Sequence, residues 1–170
     1  MIEVVGRDAD LSLCKRYRYS LYRELDIDEG DTETITWMML NPSTADALED
    51  DPTIRRCMGF SARWGFAHMY VINVFAYRAT SPADMRAAID PHGPENDHWI
   101  KKRTDPSEVG TVVFAWGTHG SHLDIGPRME KWVKELRKDK GCSILGRTKE
   151  GHPKHPLYLA NHTMLLGAGK

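Results

Sequence analysis

The sequence lacks the features of a membrane, secreted or disulfide-bonded protein. No apolar run approaches the roughly 20 residues needed to cross a bilayer, and residues 1–11 lack the basic start and long apolar stretch of a signal peptide. The chain has only 3 cysteines, and their wide spacing fits neither a disulfide framework nor a CxxC metal site. We therefore expect a cytoplasmic protein that makes no membrane contact.

Several catalytic motifs are also missing. The chain contains no GxxxxGK[ST] phosphate loop, no GxGxxG dinucleotide fingerprint, no HExxH and no GxSxG. These absences argue against a P-loop nucleotidase, a dinucleotide-dependent enzyme, a zinc protease and an α/β-hydrolase. The sequence thus predicts no cofactor and no metal.

What is present fits one globular domain. The 170 residues are 41% hydrophobic and 28% charged, with a net charge of −1, which argues against collagen-like and disordered classes. We expect a single α/β domain over residues 1–170. Within it, residues 1–33 form an N-terminal strand region and residues 160–170 a loosely held tail.

Strand and helix patterns alternate along the chain. We predict strands at 16–25, 34–40, 68–76, 111–116 and 142–145, and helices at 51–64, 81–89, 94–103 and 128–138. Asp51 before Pro52 and Ser81 before Pro82 are expected to cap their helices. Alternation of this kind is typical of parallel sheets. We therefore predict a three-layer α/β/α sandwich with a mostly parallel central sheet.

Polar, Gly- and Pro-rich loops follow each buried strand of this prediction. They begin at Asn41, Tyr77, Gly117 and Gly146. In open parallel sheets, ligands bind in the crevice outside the carboxyl ends of the strands. The sequence therefore predicts a binding site at this edge of the sheet.

The first of these loops carries two candidates for water activation. Asn41 follows an apolar strand and precedes Pro42, so its amide can position a water or bond its own turn. Asp46 is a general base if it is desolvated, or otherwise one of several solvated carboxylates beside Glu49 and Asp50.

Candidates for binding or charge stabilisation lie further along the chain. Asn73 interrupts a hydrophobic strand, where its amide either bonds the backbone or presents a donor and an acceptor to a flat ring. His152 and His155 both precede proline in one loop. Either imidazole can donate to a developing oxyanion, and the alternative is a pair of ordinary loop histidines.

Positive charge is concentrated in the C-terminal third. Nine basic and four acidic residues lie between Arg128 and His155, so this segment carries +5 and the remainder of the chain −6. The segment is either a solvated helix face or a surface for phosphate. We expect Arg147, Lys149 and Lys154 to matter most for phosphate binding, because they belong to the loop beside the predicted site.

Several motifs together resemble a known family. MLNPSTAD, DDPTIRRCMGFSARWGF, INVFAYRATSP, GPEND, VVFAWGTHG and LGRTKEGHPKHPLYL are similar to a family of small microbial and phage proteins of unknown function. More distantly, they resemble the uracil-DNA glycosylase superfamily. That superfamily has a GINPG loop, a strand ending in a base-reading Asn, a strand of the form VVFLLWGSHAQ and an HPSPLS loop, in this order.

The distant resemblance implies roles for individual residues. Asn41 would help activate water, Asn73 would read the base edge, and His152 or His155 would contact the base carbonyl. The remaining predicted substrate-binding residues are Ser43, which replaces the last glycine of GINPG, the stacking candidates Phe75 and Tyr77, and Arg78 and His119 in the matching strand motifs.

Three functions remain open from the sequence. The first is an enzyme without a metal that hydrolyses an N-glycosidic bond in DNA or a nucleotide. The second is a non-catalytic protein that binds nucleotides or nucleic acid in the same crevice. The third is an enzyme acting on free nucleotides or nucleosides. The sequence leaves the base, the polymer and the oligomeric state undetermined.

Overall fold

A computed structural model describes residues 2–27, 31–43 and 45–169. Its strands are β1 (Glu3–Leu11), β2 (Arg18–Asp26), β3 (Asp31–Met39), β4 (Phe66–Asn73), β5 (Thr111–Phe114), β6 (Cys142–Ile144) and β7 (Leu166–Gly167). Its helices are α1 (Pro52–Arg63), α2 (Pro82–Ala87), α3 (Asn96–Arg103) and α4 (Ile125–Arg137). Short 3₁₀ segments span Thr118–Asp124 and Pro156–Tyr158.

All seven strands form one mixed sheet in the order β1-β2-β4-β3-β5-β6-β7. The four middle strands, β4, β3, β5 and β6, are parallel. The β1–β2, β2–β4 and β6–β7 pairs are antiparallel. The prediction of an α/β fold is confirmed, but the prediction of a mostly parallel sheet is wrong. Parallel pairing is confined to the four middle strands, because β2 runs antiparallel to β4 on one side and β7 runs antiparallel to β6 on the other.

The parallel strands bury both of their side-chain faces. In β3, Trp37 and Met39 belong to the hydrophobic cluster that contains α1, whereas Met38 belongs to the cluster that contains residues of α2, α3 and α4. Successive side chains of a strand point to opposite faces, so the two clusters lie on opposite sides of the sheet. This double burial explains why the sequence shows apolar runs at these strands rather than alternation.

Helix starts follow the predicted capping chemistry. The Asp51 carboxylate accepts a hydrogen bond from the Ile54 backbone N–H at 2.8 Å, and Ser81 Oγ accepts one from Asp84 N–H at 3.1 Å. Helix α4 begins at Ile125, three residues before the predicted start at Arg128. Pro127 thus lies in its first turn, where a missing backbone N–H costs no hydrogen bond.

The two ends of the chain extend the sheet. Strand β1 pairs with β2 over the predicted N-terminal strand region. The tail, which we expected to be loosely held, contributes β7, and Ala168 beside it is buried. None of the helices in the described part of the chain is long and apolar enough to cross a membrane.

A buried hydrogen bond between β3 and α1 provides a test of the packing on the α1 side of the sheet. Trp37 Nε1 donates to Ser61 Oγ at 3.0 Å, and both residues are fully buried. We expect Ser61→Ala to lower the free energy of unfolding by about 1–3 kcal/mol, since the indole N–H is left without an acceptor. Urea denaturation measures this. Ser107→Ala, at an exposed turn hydroxyl, is the control, and an equal effect of both substitutions would contradict the prediction.

Candidate functional site

A cleft of about 860 Å³ opens at the carboxyl ends of the four parallel strands. Residues that follow β3, β4, β5 and β6 all contribute to its wall, and the start of α1 closes one side. Six of the predicted site residues line it: Asn41, Ser43, Asn73, His119, Lys154 and His155. The volume lies within the range of small-molecule sites, about 300–1,000 Å³.

Apolar side chains form much of the cleft wall. Met39, Ile54 and Val71 come from the core cluster on the α1 side, and Trp116 comes from the opposite cluster. Leu157 and Tyr158 lie at the surface, with Tyr158 84% exposed. A flat apolar group can therefore pack in the cleft between buried and exposed hydrophobic side chains.

Asn73 ends β4 and presents a buried amide at the cleft. Asn73 is only 2% exposed, and its side-chain Nδ2 has no hydrogen-bond partner among the described residues. Its backbone carbonyl, by contrast, accepts a bond of 2.9 Å from Asn96 Nδ2. A buried amide donor without an acceptor is costly, so this group is free to bind a ligand acceptor.

Arg18 is a cleft residue that the sequence analysis did not identify. It is 2% exposed, and its Nε is buried without a partner among the described residues. Nη1 donates to the Ala45 carbonyl at 2.5 Å. Burial lowers the pKa of Arg18 to about 10, against the opposing effect of Asp51, so the guanidinium remains charged at neutral pH.

Asn41 joins two of the loops at the cleft. Its Nδ2 donates to the Ala79 carbonyl at 2.9 Å, and Ala79 N–H donates to the Pro42 carbonyl at 2.9 Å. The amide nitrogen is thus committed to holding the β3 and β4 loops together. No described residue donates to Oδ1, which leaves that oxygen as the available acceptor of Asn41.

His155 is the histidine of the predicted pair that lines the cleft. Its Nδ1 accepts a hydrogen bond from Leu157 N–H at 3.3 Å, so the neutral ring carries its proton on Nε2. Burial lowers the pKa of His155, although Asp51 opposes this effect. His152 lies outside the lining, in a hairpin where its N–H contacts Thr148 Oγ1. His155 is therefore a neutral donor at pH 7.

Asp46 does not occupy the position predicted for a general base. It lies outside the cleft lining, and its Oδ1 accepts bonds from Leu48 N–H at 2.9 Å and Glu49 N–H at 3.1 Å. These bonds lower the pKa of Asp46. The side chain thus stabilises its own turn as an ionised carboxylate, which matches the second of the two roles that the sequence leaves open.

The predicted stacking residues also lie elsewhere. Phe75 is 1% exposed within the core and contacts the ring of His122. Tyr77 forms a β-bridge with Tyr17, and Arg78 Nη1 contacts the Lys15 carbonyl at 3.4 Å. All three side chains are outside the lining, because the chain turns toward β2 after Asn73. Trp116 and Tyr158 are the aromatic residues of the cleft.

The basic residues of the predicted phosphate-binding loop differ in their contacts. Arg147 forms an ion pair with Glu130 at 2.6 Å and donates to the Ala168 carbonyl, so its charge is used within the protein. Lys149 is exposed and lies outside the lining. Lys154 and His119 are exposed at the cleft itself. The prediction of a phosphate-binding loop therefore reduces to Lys154.

Two further cleft residues had been assigned only structural roles. Asp51 was predicted as a helix cap, and Trp116 ends the predicted strand at 111–116. Asp51 caps α1 and Trp116 belongs to a core cluster, and both also line the cleft. The position of the Trp116 indole depends on a nearby glycine, because a larger residue would clash with the ring. A Cβ on Gly120 would lie 2.1 Å from Trp116 Cδ1. Trp116 and Gly120 both belong to the VVFAWGTHG motif, which was the available signal for this wall.

A family profile matches most of the chain. The sequence profile described as "Protein of unknown function (DUF1643)" matches residues 18–157. No curated protein and no solved structure matches the chain. The matched range includes Arg18 at its start and every cleft residue named above except Tyr158.

The lowered pKa of His155 predicts a specific pH dependence. The pKa of an unfolded histidine is about 6.5, and the pKa of His155 in the folded protein is lower. Between the two pKa values the unfolded state binds more protons, so the free energy of unfolding falls as the pH drops through this window.

His155→Gln should remove that part of the pH dependence. As the pH falls from 7.5 to 5.5, we expect the free energy of unfolding to decrease more for wild type than for His155→Gln. Urea denaturation measures both values. A proton NMR titration of the His155 ring, assigned by its loss in the variant, checks the cause. A ring pKa at or above about 6.5 would contradict the prediction.

Proposed function

The chain belongs to the DUF1643 family of proteins of unknown function, and we propose that its cleft binds a nucleobase and hydrolyses an N-glycosidic bond. The observation that carries this proposal is a cleft that contains donors without an acceptor among the described residues. Asn73 Nδ2 has no acceptor, and the neutral ring of His155 keeps its proton on Nε2. Nucleobase carbonyls and ring nitrogens are the matching acceptors.

The proposed reaction needs little from the protein besides orientation and charge stabilisation. Water attacks the anomeric carbon, the bond from that carbon to the base nitrogen breaks, and the electron pair leaves with the base. His155 Nε2–H donates to the base oxygen on which negative charge develops. Asn41 Oδ1 accepts a hydrogen bond from the attacking water, whose released proton neutralises the departing base.

The motif resemblance supports the same assignment. We propose that the two core clusters on opposite sides of the sheet represent the three-layer arrangement of the uracil-DNA glycosylase superfamily. Asn41 follows β3, Asn73 ends β4 and His155 follows β6, which is the order that the resemblance implies, and all three line one cleft. The likeness rests on these motifs and on the position of the cleft.

The second candidate is a protein that binds a nucleotide without catalysis. The observation that favours it is the position of Asp46, whose carboxylate is bonded to its own turn outside the cleft. Asp51 is the carboxylate in the described lining, and one of its oxygens caps α1. A cleft of this kind recognises a base but has limited means of activating water.

Release of free base distinguishes the two candidates. Wild-type protein would be incubated with nucleosides, 5′-nucleotides, and single- and double-stranded oligonucleotides that contain each standard base, uracil or hypoxanthine. Chromatography with mass detection measures the free base, and calorimetry measures binding. Release that is lost in His155→Ala supports hydrolysis, and binding without release supports the second candidate. If no compound is bound or cleaved, the proposal of a nucleobase site is wrong.

Substitutions of two asparagines test base recognition separately from folding stability. We expect Asn73→Ala to weaken base binding about tenfold or more, with little loss of folding stability, because its Nδ2 makes no bond in the protein. Asn96→Ala should instead lower the free energy of unfolding by about 1–3 kcal/mol, because Asn96 Nδ2 donates to the buried carbonyl of Asn73. Calorimetry and urea denaturation give the two readouts. Equal stability losses would assign Asn73 a structural role.

A further inference from the structure

Strand β2 carries two buried arginines whose side chains contact the loop between β3 and α1. The two side chains differ in their hydrogen-bond and ion-pair partners. Arg23 is fully buried, forms an ion pair with Asp50 at 2.8 Å, and donates to the carbonyls of Tyr22 and Asp46. Arg18 is 2% exposed and forms no ion pair among the described residues. Its bond to the Ala45 carbonyl uses one nitrogen of the guanidinium.

A buried guanidinium without a paired anion is unfavourable unless something else compensates its charge. Removing an ion from water is unfavourable unless a partner of opposite charge compensates it, and a buried ion whose partner is missing is strongly destabilising. Asp51 and Asp46 act on Arg18 only at longer range than an ion pair, and the cations Arg23 and Arg78 oppose them. Arg18 lines the cleft, so an anionic ligand group there can supply the missing partner.

We propose that Arg18 binds a phosphate group of the ligand, and that the cleft therefore takes a nucleotide rather than an uncharged nucleoside. This inference rests on the proposed function for the identity of the base-containing ligand. The guanidinium fork suits phosphate oxygens, to which it donates more than one hydrogen bond. Lys154 is a second cation of the described lining and is exposed there, without an ion pair in the described chain.

The remaining basic residues favour a terminal phosphate over a long phosphodiester backbone. Polymer binding uses several lysine and arginine contacts to successive phosphates. In the basic segment, Arg147 is paired with Glu130, and Arg137 is buried against the carbonyls of Thr104 and Val109. Few cations of the described chain therefore remain beside the cleft, which matches a ligand with one phosphate.

The test compares each standard ribonucleoside and deoxyribonucleoside with its 5′-monophosphate, the dinucleoside monophosphates, and inorganic phosphate. Calorimetry measures binding to wild type, Arg18→Met and Arg18→Lys. For at least one base, we expect the monophosphate to bind wild type about tenfold or more tightly than the nucleoside. Arg18→Met should abolish this preference, so that the variant binds the monophosphate and the nucleoside equally. Arg18→Lys, which keeps the charge without the fork, should lie between them.

Circular dichroism and thermal melting verify that the variants are folded. Arg23→Met is the control for loss of a fully partnered buried arginine, and it should melt earlier than Arg18→Met. If Arg18→Met does not fold, the intermediate preference expected of Arg18→Lys carries the test. A variant whose phosphate preference equals that of wild type would overturn the role of Arg18.

Other outcomes separate this inference from the proposed function. Equal wild-type affinities for nucleosides and monophosphates would overturn the phosphate site and leave base recognition intact. Binding of inorganic phosphate that depends on Arg18, with no effect of any base, would support the phosphate site and overturn base recognition. Tighter binding of dinucleoside monophosphates than of monophosphates would assign Arg18 to a phosphodiester backbone and overturn the terminal-phosphate assignment. Absence of any binding would overturn both proposals.

Discussion

The buried ion pair between Arg23 and Asp50 is the interaction on which the site depends most. It holds the long loop between β3 and α1 against β2, and Arg7 adds a second contact to the same carboxylate at 2.7 Å. This loop carries Asn41 and Ser43 and ends at the α1 cap, Asp51. A charge that is fully paired and hydrogen-bonded is tolerated in the interior. Its neighbour Arg18, buried without such pairing, is therefore the exception that indicates a ligand.

The parallel alignment of β3 to β6 then determines where the loops meet. Hydrogen bonds between loops fix their relative positions: Val74 N–H donates to the Met39 carbonyl, and Gly117 N–H donates to the Pro153 carbonyl, both at 2.9 Å. Backbone contacts of this kind do not depend on side-chain identity. The loops can consequently hold polar side chains at the cleft without using those side chains for packing, which leaves Asn73 and His155 available for binding.

Sequence reasoning predicted a site at the edge of the sheet where the structure has a cleft, but it did not identify all of the residues that line this cleft. The apolar runs of β3 to β5 and the caps at Asp51 and Ser81 depend on local patterns, and these were predictable. The partner of Arg147 is Glu130, 17 positions away, and nothing local distinguishes that arginine from Lys154. Arg18 lies in an alternating strand pattern that does not show which of its arginines is paired. Long-range contacts decide these roles.

The described lining of the cleft combines buried donors that lack an acceptor with a single carboxylate, and this combination constrains its chemistry. Arg18 Nε and Asn73 Nδ2 have no acceptor in the described chain, while the carboxylate of Asp51 in the lining is partly used as a cap. Such a site would stabilise negative charge on a ligand more than it would activate water. Cleavage of an N-glycosidic bond through a cationic sugar matches this property, because the leaving base becomes anionic before water has fully reacted. Substitution of the donors should then affect bond cleavage more strongly than substitution of Asn41.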